Sequence, residues 1–173
     1  HLSDSGSPLT IANHRITLLG GGTFMAGNST GDMIITGGIT GSGALTIRSQ
    51  ATRAIVIGAA NNDYTGNTNI YTDSTANSTL RLGGNNALPY GAGKGSIVLA
   101  AWNSGSATLD LAGYDQTING LTSGGSGSGG KVIDNLTTGS ASTLMIGANN
   151  TTASFSGAIQ NASGTINLVK TGT

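Results

Sequence analysis

Asp110 and Asp115 stand five residues apart, and Asp63, Asp73 and Asp134 are further acids whose carboxylates could do chemistry. Two or three such groups on one face, or one beside Arg or Lys, would suit acid–base cleavage of a polysaccharide. The rest of a catalytic inventory is thin. Every acid is Asp, His14 has no evident nucleophile or metal partner, and His1 is terminal. With no Cys, neither a thiol nor a zinc spacing is available, and the Gly-Gly-x-Gly-x-Asp calcium repeat does not occur. The tract Ser123-Gly124-Gly125-Ser126-Gly127-Ser128-Gly129-Gly130 lacks the Lys-Ser/Thr pair and following helix of a phosphate loop. It is expected to be a flexible turn bulging from the body, and Gly20-Gly21-Gly22 likewise. The residues therefore predict no enzyme, no cofactor and no metal.

Binding has more to work with. Extended β surfaces take up glycans or proteins through exposed aromatics, and Tyr64, Tyr71, Tyr90 and Trp102 fall in predicted turns. The plainer reading is that these rings pack over edges, because aromatics usually bury area. Nucleic acid and anionic membranes are excluded as partners, since the formal net charge is zero and the seven basic residues are scattered. No apolar run is long enough to span a bilayer. The Asn-x-Ser/Thr triplets at Asn28, Asn77, Asn135, Asn149, Asn150 and Asn161 arise by composition and predict little.

The elements that must position these residues are short strands. Apolar–polar–apolar triplets or near-triplets recur throughout, among them Thr68-Asn69-Ile70, Leu80-Arg81-Leu82, Ile97-Val98-Leu99, Leu109-Asp110-Leu111 and Ile118-Asn119. Gly, Asn, Ser and Thr lie between them and tolerate turns. Period-two alternation this brief gives strands of two to four residues with one face inward. None is stable alone, but a stack of them is. The core candidates are Leu80, Leu82, Ile97, Leu99, Leu109, Leu111, Ile118 and Leu121. Thr10, Thr17, Thr46, Asp110, Asn119 and Asn167 are expected to face water. The 36% hydrophobic content, spread in strand-sized packets, argues against disorder, and no helical stripe of useful length occurs. Coils of about 20–25 residues with three strands each would give roughly seven or eight rungs, with Asn, Ser and Thr laddering at the turns.

Residues 61–121 carry a resemblance. Asn62-Asp63-Tyr64-Thr65-Gly66, Leu80-Arg81-Leu82-Gly83, Asn86-Ala87-Leu88-Pro89, Leu109-Asp110-Leu111, Gly113-Tyr114-Asp115-Gln116-Thr117-Ile118-Asn119 and Gly120-Leu121 follow one another in order. The segment resembles the autotransporter-associated β-strand repeat of bacterial surface proteins. It departs at Tyr71–Thr79, where a longer polar loop replaces a shorter turn. The resemblance implies an all-β, right-handed parallel β-helix on a passenger domain at the bacterial cell surface, without implying an activity. A stretch from Ile35 to Ile47 is echoed from Phe155 to Leu168, as expected of a repeat array. The start His1-Leu2-Ser3-Asp4 is not a signal peptide, and Val169–Thr173 stops where another unit would begin, so a mature piece or fragment of a longer parent is expected. The sequence thus predicts one β-helix domain over 1–173, extracellular and structural: a stalk, adhesin or fibre segment. The other reading is a carbohydrate-binding or carbohydrate-cleaving β-helix. Expected partners are a second copy or neighbouring coils of a longer parent, joined through open ends, and a host surface or glycan.

Overall fold

The structure, a computed structural model, describes residues 8–27, 31–49, 53–58 and 62–173. No helix occurs among them. The chain runs through β1 (Leu9–Ile11), β2 (Ile16–Leu18) and β3 (Gly22–Ala26), then repeats the circuit as β4 (Met33–Ile35), β5 (Ile39–Gly41) and β6 (Leu45–Ser49). Among the described residues the third and fourth circuits carry two strands each: β7 (Ala54–Ile57) with β8 (Thr68–Thr72), and β9 (Ser78–Leu82) with β10 (Ile97–Ala101). Three return in the fifth, as β11 (Ala107–Asp110), β12 (Gln116–Ile118) and β13 (Leu121–Gly124). The sixth has β14 (Lys131–Asp134) and β15 (Ala141–Ile146), and β16 (Ala158–Ile159) and β17 (Thr165–Lys170) open a seventh.

Every pairing is parallel and joins one circuit to the next. One sheet has the order β1-β4-β7-β9-β11-β14-β16, a second β13-β10-β8-β6-β3. The third side is discontinuous, with β2-β5 at one end and β12-β15-β17 at the other. The molecule is a parallel β-helix of six turns between β1 and β16. At about 4.8 Å per turn, those strands lie about 30 Å apart along the axis. Most coils fall within the expected 20–25 residues, from 22 between Met33 and Ile55, but the longest reaches 29 between Leu80 and Leu109. The loops 83–96 and 102–106 account for the longest, and among the described residues coils three, four and six show two of the expected three strands.

Alternation explains the core. The register stacks Met33, Ile55, Leu80, Leu109, Ile133 and Ile159 in one column, and Phe24, Ile47, Ile70 and Leu99 in another. Leu80, Leu82, Ile97, Leu99, Leu109, Leu111, Ile118 and Leu121 are all buried. Each coil covers the apolar side chains of the last, so stability is shared between neighbours along the stack.

The corners depart from expectation. Asp110 and Asn119 do not face water: each is only 1% exposed. Alternation governs a strand, and both residues sit where one ends. At Asn119 the side chain turns inward onto the 91–95 loop of the previous coil. Its Oδ1 accepts from the Gly91 N–H at 2.7 Å, and its Nδ2 donates to the carbonyls of Gly91, Lys94 and Gly95 at 3.0, 2.8 and 3.2 Å. Asn62 does the same elsewhere, accepting from Ile39 N–H and donating to the carbonyls of Gly58 and Ala87. Gln116 accepts from Leu88 N–H and donates to Leu88 C=O. These amides satisfy backbone groups that a third strand would have paired.

The Gly/Ser tract is another correction, for it does not bulge. Gly127 N–H donates to Ala101 C=O and Gly129 N–H to Asn103 C=O. A Cβ on Gly129 would lie 1.9 Å from Gly105 O, and one on Gly127 2.3 Å from Asn103 N. Glycine stands there because two loops lie backbone against backbone. The sequence echo also lands off register: Ile39 lies in β5 and Leu45 in β6, whereas their counterparts Ile159 and Ile166 lie in β16 and β17, on other sides of the solenoid.

Asn119→Asp removes three donated hydrogen bonds and sets a carboxylate against three carbonyls. It should cost about 3 kcal/mol or more, and Leu109→Ala about 2–5 kcal/mol. Thr108→Ala, on the outer face, should stay within about 0.5 kcal/mol. Urea unfolding measures all three, and an Asn119→Asp variant as stable as the parent would refute the corner account.

Candidate binding face

The acids are placed as turn caps. Asp110 and Asp134 are register partners on successive coils, a pairing the sequence hid by setting Asp115 closer. One oxygen of Asp110 accepts from Ala112 and Leu136 N–H, at 2.9 and 3.0 Å, and the other from Arg81 Nε at 2.8 Å. Asp134 accepts from Asn135 and Ala162 N–H and from Gln160 Nε2. Each carboxylate thus ties its own corner to the next coil and has no oxygen left without a donor. Arg81 also reaches Asp32 at 3.2 Å. Asp115 is exposed and accepts from Thr143 N–H at 2.6 Å.

Asp63 pairs with Arg15 at 2.9 Å on the surface. Hydrogen bonding from Thr40, helped by Arg15, holds its carboxyl below the usual range. A depressed carboxylate contributes stability above its ordinary range and loses it as pH falls through the folded value. Among the described residues, no three His, Cys, Asp or Glu side chains gather as metal ligands would.

The four aromatics part company. Tyr64 is not exposed at all: its ring is fully buried and its hydroxyl meets Thr68 Oγ1 at 2.5 Å. It lies between β7 and β8, where the described residues of coil three form no third strand, and the ring joins the buried core there. Burial pushes its phenol well above the ordinary range, against the weaker pull of Thr68. Tyr90 is 42% exposed on the 83–96 loop. Tyr71 is half-buried, with the Arg48 guanidinium 5.2 Å from its ring centre. Trp102 is 54% exposed.

Tyr71 and Trp102 belong to one surface. The outer face of β3, β6, β8, β10 and β13 aligns Thr23, Thr46, Asn69, Val98 and Thr122 in register. Beside that column run Tyr71, Ala100 and Gly124. Trp102 follows β10 at the corner, its N–H held by Thr72 C=O at 2.9 Å. All of these outward residues except Thr122 line an open trough of about 520 Å³, with Arg48 and Trp102 among its walls. Arg48 is bound to Asp73 at 2.5 Å, and Asn69 Nδ2 reaches Thr46 Oγ1 at 3.4 Å. No nucleophile–base pair lines it. It offers an aromatic platform, small floor residues and neutral hydrogen-bonding groups. Of these, only Tyr71 and Trp102 were singled out from the sequence. The outward positions of the strands were the signal for Thr46, Asn69 and Ala100, but it needed a register that only the folded coils supply.

The fold and this face define a parallel β-solenoid with a polar, threonine- and asparagine-bearing exterior. A known protein similar to it is the adhesin BmaC autotransporter of Brucella suis biovar 1 (strain 1330), 30% identical over 172 residues. The match takes in 99% of this chain and 4% of that protein's length. No family model matches the chain, and no solved structure matches it.

Arg81→Ala strands the buried Asp110 with only its two backbone donors. Because Arg81 is itself 38% exposed, the expected loss is about 1–3 kcal/mol. Arg48→Ala breaks a pair in which both partners are partly solvated and should cost under about 1 kcal/mol. Chemical denaturation compares the two, and equal losses would contradict a structural role for Asp110.

Proposed function

We propose that this chain is a segment of a bacterial surface passenger, a structural β-solenoid that builds the stalk or adhesive body of a longer protein, and that it is not an enzyme. Similarity to an autotransporter adhesin along nearly the whole chain supports this reading and the extracellular, cell-surface location that goes with it. So does the use of the acids, since one oxygen of Asp110 and of Asp134 caps backbone N–H groups and the other is taken by Arg81 or Gln160.

The observation that carries the proposal is the last rung. In β17, Leu168 pairs with the buried Leu144 and so points along the core column, yet it is 55% exposed. An apolar opening of about 340 Å³ lies at the same end, bordered by Leu121, Ile146, Phe155 and Ile159. Such a surface fits another coil laid on in register, supplied by a longer parent or by a second copy. Contact between two different ends does not close, so copies would add as a rod. The expectation that no cap covers the opposite end falls on residues 1–7, which lie outside the described residues.

Sedimentation velocity of the isolated chain over a concentration series tests this. Elongated species should grow with concentration, and Leu168→Asp should abolish them while leaving the monomer folded. A monomer that persists at the highest attainable concentration contradicts the stacking.

A further inference from the structure

We propose that the trough beside Trp102 is a binding site for a neutral oligosaccharide, with the indole as stacking platform and Asn69 and Thr46 as hydrogen-bonding groups. The proposal goes beyond the stalk reading, which requires no ligand, and it stands or falls separately.

The chemistry of the walls selects the ligand class. A large indole left 54% exposed beside Ala100, which is 7% exposed, and Gly124 forms a step with a bare floor. A flat, partly apolar ligand can rest there against the ring. Peptide-strand addition is disfavoured at the floor, because β6, β8 and β10, which carry Thr46, Asn69, Tyr71 and Ala100, are each hydrogen-bonded on both sides. Anionic ligands are disfavoured too. The cation in the trough, Arg48, is already bound to Asp73 and stacked over Tyr71, and nucleic acid or phosphate needs clustered free charge.

What remains is a ligand with an apolar face and groups that both donate and accept. A pyranose ring has axial C–H faces and a rim of hydroxyls. With one N–H directed to Thr46 Oγ1, the Asn69 amide offers its second N–H and its carbonyl oxygen, and the Thr46 hydroxyl offers its own donor. These groups recur along the axis at the strand spacing of about 4.8 Å, which suits a chain of repeating units rather than a single small molecule. The trough volume of about 520 Å³ lies within the range of ordinary ligand clefts.

Trp102 is the only Trp in the chain, so intrinsic emission reads this site without a label. The probes are maltohexaose, cellohexaose and N-acetylchitohexaose, with hexagalacturonate as the anionic comparison. At least one neutral probe should shift the emission saturably. Calorimetry of that probe should show binding weakened about tenfold or more in Trp102→Ala, and to a lesser degree in Asn69→Ala. Both variants should melt with the parent, and hexagalacturonate should bind more weakly than the neutral probe. The proposal is overturned if no neutral probe changes the emission at concentrations above the millimolar range, if Trp102→Ala binds as well as the parent, or if the anionic probe binds best.

Discussion

Among the described residues, no strand pairs with its neighbour in sequence; each finds its hydrogen-bonding partner one turn of the helix away. That constraint governs the rest of the molecule. A strand of two to six residues has too little face to hold itself, so the backbone ladder and the core must form together across neighbouring coils. Columns such as Leu80–Leu109–Ile133 follow directly, because parallel in-register pairing sets like side chain upon like. The exposed Leu168 has the same origin, since an inward residue is buried only when a further rung covers it.

The corners carry the second burden. Where the chain leaves a strand, backbone groups lose their ladder partners, and burying them unpaired would cost about 1–3 kcal/mol each. Asn62, Asn119, Asp110, Asp134 and Gln116 meet that need from side chains turned inward. Their polarity serves the backbone rather than solvent or chemistry. The outer sheet faces carry no such burden, and the trough around Trp102 lies on one of them.

The sequence makes the strands and the core legible because alternation is a local signal: two residues flanking a polar one suffice to assign Leu80, Leu82, Leu109 and Leu111 to the inside. The same rule misplaces Asp110 and Asn119, since it lapses at the residue where the chain turns. Tyr64 is misread for a related reason. A turn residue is taken as exposed, but here its ring joins the buried core between β7 and β8. The Gly/Ser tract looks flexible by composition, and only the loop stacked on Asn103 and Gly105 shows that glycine is demanded by close approach. The trough was half visible, through Tyr71 and Trp102. Its floor and polar column come from strands 23 to 29 residues apart, a coil length set by loops of uneven size and not by any local pattern.

The central claim, that neighbouring coils pair in parallel and in register, is tested most directly by amide-proton contacts in an isotope-labelled sample. The account predicts cross-peaks linking Thr68–Thr72 to Ile97–Ala101, and Ser78–Leu82 to Ala107–Asp110. Antiparallel contacts between the consecutive strands Thr68–Thr72 and Ser78–Leu82, as in a hairpin, would contradict it.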